Sequence, residues 1–351
     1  MTDSDSETAH DAAILPPLLA CLEKLALIAR YLDPLDFAEL MAAVGPADAP
    51  LCDALAAAGE PSDEDGARLR AAGEEALAAF DGLTTALFAD DIRAVFRALR
   101  HPPRALEALY PLASRNAMVD LFFLDPSRRG DAAAVAPPAG AEGRGVTHHD
   151  NEQGHRGGYS LYVPEDAAPD EPLPLVMALH GGSGHGRAFL WTWLRDARSF
   201  RAIVVAPTAI GATWALTGED VDTPNLMRIL GEVRARWPVD PARLLLTGLS
   251  DGGTFCYLGG LADGSPFTHL APVAAAFHPM LMAFADPERL RGLPVHLVHG
   301  ARDWMFPVEL ARQAHTALDA AGADVTYREF DDLSHAYPRE INAELLAWLK
   351  R

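Results

Sequence analysis

The stretch LLLTGLSDGG, residues 244–253, runs an apolar segment straight into a tight turn made of Gly248, Leu249, Ser250, Asp251, Gly252 and Gly253. A buried strand has no use for a hydroxyl at its end, yet Ser250 stands there between two glycines in the spacing G-x-S-x-G. That spacing suits a sharp strand-to-helix turn that lifts a serine hydroxyl to the N-terminus of a helix, with glycines where strand and helix would otherwise collide. Taken alone, a Gly-Ser-Gly cluster is equally an ordinary turn. The surrounding chain has to decide.

Working outward, short β-rich runs alternate with helix-length amphipathic segments. The strand candidates are YSLYVP (159–164), PLVMAL (174–179), AIVVAP (202–207), RLLLTG (243–248), APVAAAF (271–277), VHLVHG (295–300) and VTYREF (325–330). Most are apolar throughout, which indicates a sheet covered on both faces. Between them, DTPNLMRILGEVRARW (222–237) carries Pro224 near its start, and PVELARQAHTALDAAG (307–322) ends in Gly322, as helices do. This alternation predicts an α/β domain with a mostly parallel central sheet over residues 146–351. Ligands of such sheets gather at the carboxyl ends of the strands, and Ser250 lies at one of these ends.

A serine hydroxyl becomes a nucleophile only when a base takes its proton and an acid orients that base. Behind a G-x-S-x-G turn the partners follow in the order acid, then histidine. VHLVHG leads into ARDWMFP, presenting Asp303, and VTYREF leads into DDLSHAYP, presenting His335. Both therefore follow strand ends. Asp331 and Asp332 are rival acids, but their closeness to His335 in sequence suits turn or capping contacts better. Backbone donors for a developing oxyanion are expected from the glycine-rich ALHGGSGHG (178–186), which follows PLVMAL. The expected N–H groups are those of Gly182 and Asp251. No Lys-Ser or Lys-Thr follows these glycines, so a phosphate-cradling loop is disfavoured. His180 is expected to hold the loop rather than to react.

These elements together resemble the α/β-hydrolase family over residues 146–351. RGGYSLYVPE, LHGGSGHGR, TGLSDGGTFCY, HGARDWMFPV and DLSHAYPREI resemble the bacterial phospholipase/carboxylesterase group, related to feruloyl esterases and polyhydroxybutyrate depolymerase-like esterases. The resemblance implies Ser250, Asp303 and His335 as a catalytic triad. The double glycine after the serine also occurs in prolyl-oligopeptidase-like peptidases, which normally carry a propeller domain, and no strand-rich blades are legible here. Only Pro279 to Pro294 separate two neighbouring strand candidates, so no inserted cap is expected. Aromatic residues adjoin the strand ends, and Phe189, Trp214, Phe277 and Trp304 are the candidates for substrate contact. The expected substrate is a small ester with a short to medium acyl or an aryl group.

The remaining sequence sets bounds. The chain has 351 residues, 49% of them hydrophobic, and a formal net charge of −20, which disfavours nucleic acid and anionic membrane surfaces as partners. No apolar run is long enough to span a bilayer, and the acidic start does not resemble a secretory signal, so a cytoplasmic location is expected. Cys21, Cys52 and Cys256 show no metal-site or disulfide spacing and are expected as buried thiols. His148, His149, Asp150 and His155 are read as a solvated loop rather than metal ligands; no metal and no cofactor are expected. Before residue 128 the pattern is helical. Leu15, Leu18, Leu22, Leu25, Ile28 and Leu32 share one face, and a helix beginning at Asp90 or Asp91 turns Ile92, Val95, Phe96 and Leu99 inward. Residues 1–128 thus read as a helical N-terminal domain and 129–145 as a Pro/Gly/Ala-rich linker. The helical domain is expected to act as a lid or to pair subunits in a homo-oligomer. A binding or assembly protein built on those helices, with the hydrolase domain secondary, is the alternative function.

Overall fold

Eight strands form one sheet in the computed structural model, which describes residues 3–89, 91–130 and 143–351. They are β1 (Gly145–His149), β2 (Tyr159–Val163), β3 (Leu173–Leu179), β4 (Ile203–Pro207), β5 (Val239–Leu249), β6 (His269–Val273), β7 (Pro294–Gly300) and β8 (Asp324–Phe330). Their order is β1-β2-β4-β3-β5-β6-β7-β8. From β4 to β8 every pairing is parallel, while β1–β2 and β2–β4 are antiparallel. The continuous apolarity of β3 has its expected meaning, since all seven of its residues are buried. β8, at the edge, alternates exposed and half-buried positions instead.

Among the described residues seven α-helices precede the sheet: α1 (Asp3–Arg30), α2 (Phe37–Val44), α3 (Ala49–Ala57), α4 (Glu64–Ala89), α5 (Ile92–Ala98), α6 (His101–Leu109) and α7 (Ala117–Phe122). Seven more run among and after the strands: α8 (Gly186–Phe200), α9 (Asp222–Arg236), α10 (Asp251–Leu261), α11 (Leu281–Phe284), α12 (Pro287–Leu290), α13 (Glu309–Ala320) and α14 (Ile341–Leu349). Among the described residues no single helix is long and apolar enough to cross a membrane.

The chain divides into two units, Met1–Phe123 with Arg129–Ala136, and Leu124–Arg128 with Pro137–Arg351. In the first, the stripe Leu15, Leu18, Leu22, Leu25, Ile28 and Leu32 is buried. Asp91 caps α5 by accepting a hydrogen bond from the Arg93 amide at 2.9 Å; Asp90 lies outside the described residues. Phe96, expected inward, is instead 42% exposed. Ala98 packs so closely on Gly82 that a Cβ there would lie 2.8 Å from the Ala98 Cβ. The inward face of this short helix is therefore centred on Val95 and Ala98, which turns Phe96 away. Cys52 is exposed rather than buried, because α3 directs Leu51 and Leu55 inward.

The second unit takes in five residues that precede the expected linker. Leu124 is buried, the Asp125 amide donates to Ser199 Oγ at 2.7 Å, and the Arg128 guanidinium lies over the Phe200 ring. Most of the expected linker, residues 131–142, lies outside the described residues. The segment read as a solvated loop around His148 and His149 is corrected by β1. Its register sets His148 opposite Ser160 and His149 opposite Tyr159. Alternating burial, the usual strand signal, is absent from these five residues, four of which are half-buried.

Candidate active site

β5 delivers Ser250 and α10 begins at the next residue. Ser250 adopts φ 56°, a left-handed conformation that a side chain rarely takes and that the packing around it enforces. A Cβ on Gly248 would lie 2.5 Å from the Gly252 carbonyl, and one on Gly252 would lie 2.5 Å from the His180 carbonyl. Only glycines let β5, α10 and the loop after β3 meet this closely. The Ser250 amide donates to the Val273 carbonyl of β6 at 2.9 Å. Thr254, one turn on, donates its hydroxyl to the Ser250 carbonyl at 3.1 Å and accepts the Ala276 amide at 3.0 Å. Thr254 thereby ties the turn to the next loop, a role that no motif signals.

His335 Nε2 lies 3.0 Å from Ser250 Oγ, and its Nδ1 lies 3.0 and 2.9 Å from Oδ1 and Oδ2 of Asp303. The loops after β7 and β8 can meet because Gly300 has no side chain: a Cβ there would stand 2.1 Å from the Leu333 carbonyl. Asp331 and Asp332 are exposed, and Asp303 is the carboxylate that reaches His335. Its Oδ1 also accepts the amides of Met305 at 2.9 Å and Phe306 at 2.7 Å. Burial alone would raise the Asp303 carboxyl, but hydrogen bonds from His299 and His335, the His335 charge and the Phe306 amide outweigh it and hold it well below the usual carboxylate range.

A strained serine between strand and helix, followed along a mostly parallel sheet by acid and histidine at the ends of β7 and β8, decides the architecture. The domain has the α/β-hydrolase fold. No family model matches the chain. Over 169 residues it is 26% identical to a bifunctional acetylxylan esterase/xylanase of Neocallimastix patriciarum, covering 45% of this chain and 23% of that one. Over 107 residues it is 31% identical to the Aspergillus niger protein named "Probable feruloyl esterase C", covering 28% of this chain and 39% of the relative. The chain thus matches less than half the length of either curated relative. The solved structure of a fluorophosphonate-binding serine hydrolase of Staphylococcus aureus, FphF with substrate bound, is similar at 15% identity and a TM-score of 0.45, over 59% of this chain and 97% of that one.

In this α/β-hydrolase domain the loop after β3 sits against the start of α10. A Cβ on Gly182 would lie 2.8 Å from Oδ2 of Asp251, and the Thr213 hydroxyl donates to that same oxygen at 2.6 Å. Gly182 and Asp251, the two expected oxyanion donors, are therefore neighbours beside Ser250. His180 is buried beneath the loop; its Nε2 accepts the Ala209 amide at 3.1 Å, which leaves Nδ1 to donate to the Gly181 carbonyl at 2.7 Å. Burial pushes the imidazole down to about 3, so it is neutral and structural. Arg156 fastens the loop from outside, donating to the carbonyls of Gly184 at 2.7 Å and Gly211 at 2.8 Å. Sequence reading missed it, because an arginine that binds main chain carries no motif.

The four aromatic candidates separate. Trp214 is buried, with its indole N–H donating to the His180 carbonyl at 2.7 Å, so it braces the loop rather than lining a pocket. Phe189 packs edge-on against Tyr337, and Phe277 edge-on against Tyr257; both are buried. Phe277 lies in the loop beyond β6, which ends at Val273, and not at a strand end. Trp304 alone of the four is exposed, at 41%, with its ring 6.2 Å from that of His335. Adjacency to a strand end thus found the right neighbourhood, but the rotation of each side chain depends on packing. His299 lies on β7 and contacts Asp303, whereas His278 is in an exposed loop. His148 lies 2.7 Å from Ser160 Oγ, His149 stacks on Tyr159, and His155 pairs with Glu152 at the surface. Among the described residues no group of three or more His, Cys, Asp or Glu side chains is arranged to hold a metal.

Proposed function

We propose that the protein is a serine carboxylic ester hydrolase acting on short to medium acyl or aryl esters through Ser250, His335 and Asp303. The observation that carries this reading is the unbroken contact chain from Ser250 Oγ through His335 to the buried Asp303 carboxylate, at 3.0 and 2.9 Å. His335 Nε2 takes the Ser250 proton as Oγ attacks the ester carbonyl, while Asp303 fixes the imidazole through Nδ1–H and stabilises the imidazolium. The oxyanion of the tetrahedral intermediate accepts hydrogen bonds from the amides of Gly182 and Asp251. Collapse expels the alcohol, which leaves with the proton from His335. Water then attacks the acyl-enzyme by the same path in reverse, returning the acid and free Ser250.

The names of the two curated relatives support the substrate range, one denoting an acetyl and the other a feruloyl ester, a short acyl group and an aryl one. The absence of an insertion between β6 and β7 larger than the short helices α11 and α12 favours an open site for such groups. We further propose that the helical unit serves as a lid or pairs subunits, with a small ester as the partner of the catalytic domain. The deciding experiment measures hydrolysis of p-nitrophenyl acetate and p-nitrophenyl butyrate with and without a serine-directed phosphonate, followed by mass mapping of the label. Turnover abolished by a label on Ser250 is the expected result; turnover unaffected by the label, or a label elsewhere, overturns the assignment.

A further inference from the structure

Attack by Ser250 gives the reacting carbon three substituents to place. The oxyanion must face the amides beside Gly182 and Asp251, and the leaving oxygen must face His335 Nε2, which donates its proton. The acyl chain takes the remaining direction. A side chain that borders His335 and opens to solvent therefore meets the alcohol half of an ester and not the acyl half.

Trp304 answers that description. Its ring centroid is 6.2 Å from the His335 ring with the planes 72° apart, and it is 41% exposed. Phe306, 5.2 Å from His335 on the same loop, is only half-buried and extends this aromatic border. The turn that carries Trp304 is fixed from both ends. Asp303 Oδ1 accepts the amides of Met305 and Phe306, and the Phe306 carbonyl lies 2.8 Å from His299 Nε2. The indole is thus carried by the same carboxylate that orients the base, which positions it before any substrate arrives.

From this geometry we infer that Trp304 is the specificity-determining wall of the leaving-alcohol subsite, and that it favours esters whose alcohol is an aromatic ring. A flat apolar ring stacks or packs edge-on against indole, whereas a methyl or ethyl alcohol covers little of it. The inference rests on the esterase reading above and adds that selectivity for the two halves of the substrate is separable.

The test uses the full chain and compares kcat/KM, which reports acylation and hence the step in which the alcohol is still attached. One series holds the acyl group as acetate and varies the alcohol through methyl, ethyl, benzyl and phenyl. A second holds the alcohol as phenyl and varies the acyl group from acetyl to octanoyl. Trp304→Ala is expected to reduce kcat/KM for the phenyl and benzyl esters by roughly tenfold, with a several-fold smaller loss for methyl and ethyl, and to leave the shape of the acyl series unchanged. Trp304→Phe should restore most of the difference. Titration of Ser250 with a phosphonate fixes the concentration of folded sites in each variant. An equal loss across all alcohols, or a loss that follows acyl length, overturns the inference while leaving the esterase reading intact. Failure of the unmodified protein to hydrolyse any ester in either series, or to react at Ser250, overturns the esterase reading and the inference together.

Discussion

His299 Nε2 lies 3.3 Å from Oδ2 of Asp303, so the acid that orients His335 is itself held by a second histidine on β7. The same nitrogen lies 2.8 Å from the Phe306 carbonyl. Both neighbours are acceptors, so His299 carries its proton on Nε2. Asp303 is thereby gripped by two imidazoles and two backbone amides, with its side chain fully buried.

This grip ranks the expected mutational losses. Ser250→Ala and His335→Ala should each lower kcat by at least ~10³-fold without unfolding the protein, because triad members act as a unit. Asp303→Asn should cost a comparable amount. His299→Phe should cost roughly tenfold, since the amides of Met305 and Phe306 remain to hold the carboxylate. Asp331→Asn and Asp332→Asn should be mild. Steady-state kinetics on one p-nitrophenyl ester would check the ranking, and a damaging Asp332→Asn beside a mild Asp303→Asn would refute the assigned acid.

Only the neutral imidazole of His335 can accept the Ser250 proton, and it depends on the Asp303 carboxylate to hold its Nδ1–H. Asp303, held well below the usual carboxylate range, stays ionised near neutrality and should contribute no limb of its own to the pH dependence of activity there. A kcat/KM profile across neutral pH with no limb that belongs to Asp303 is expected. EDTA should leave it unchanged.

Stability should respond to two buried groups of opposite sign. Burial moves His180 from 6.5 to about 3, so between those values the unfolded chain binds a proton the native state does not, and stability is lost as pH falls through that window. Asp196 is moved from 3.8 to about 6, chiefly by burial and partly opposed by its hydrogen bond from Asn342. Between 3.8 and 6 the native state holds the extra proton, so stability falls as pH rises through that window and stays lower above it. Asp196→Asn should therefore stabilise the protein at pH 7, by about 1–3 kcal/mol, and steepen its loss of stability on acidification. Thermal unfolding from pH 4 to 8 would show this; an unchanged or lower Tm at pH 7 would contradict it.

Acyl preference is expected to run from acetyl to about octanoyl and then fall, since only the short helices α11 and α12 are inserted between β6 and β7, and burying a longer chain requires a deep apolar tunnel. Rates across a series of p-nitrophenyl esters would decide it, and a maximum at palmitoyl would point to a lipase-like groove.

The helical unit can be removed with a chain that begins at Leu124, keeping the contacts of Leu124, Asp125 and Arg128 within the catalytic unit. This shortened chain should fold and keep Ser250 reactive toward phosphonate, since a domain of its size buries enough surface alone. A changed KM or chain-length preference would identify a lid, and a smaller assembly on gel filtration would identify subunit pairing. Identity with the full chain in both measurements would reject both roles.

The alternation of apolar runs and amphipathic segments was sufficient to define an α/β sheet, because burial on two faces demands continuous apolarity that few other structures need. Glycines at 248 and 252 flagged the turn at Ser250, and strand-end positions singled out Asp303 and His335, because chemistry at a parallel sheet collects where its strands stop. The half-polar pairing of β1 left no such signal, and its histidines therefore read as loop. What only the tertiary structure decided was direction. Trp214 turns into the core to donate to the His180 carbonyl, while Trp304 turns out beside His335. The hold of Arg156 on Gly184 and Gly211 joins residues 28 and 55 positions apart. Side-chain rotation and main-chain partners so distant in sequence are set by the packing of the whole domain, and no local pattern of residues encodes them.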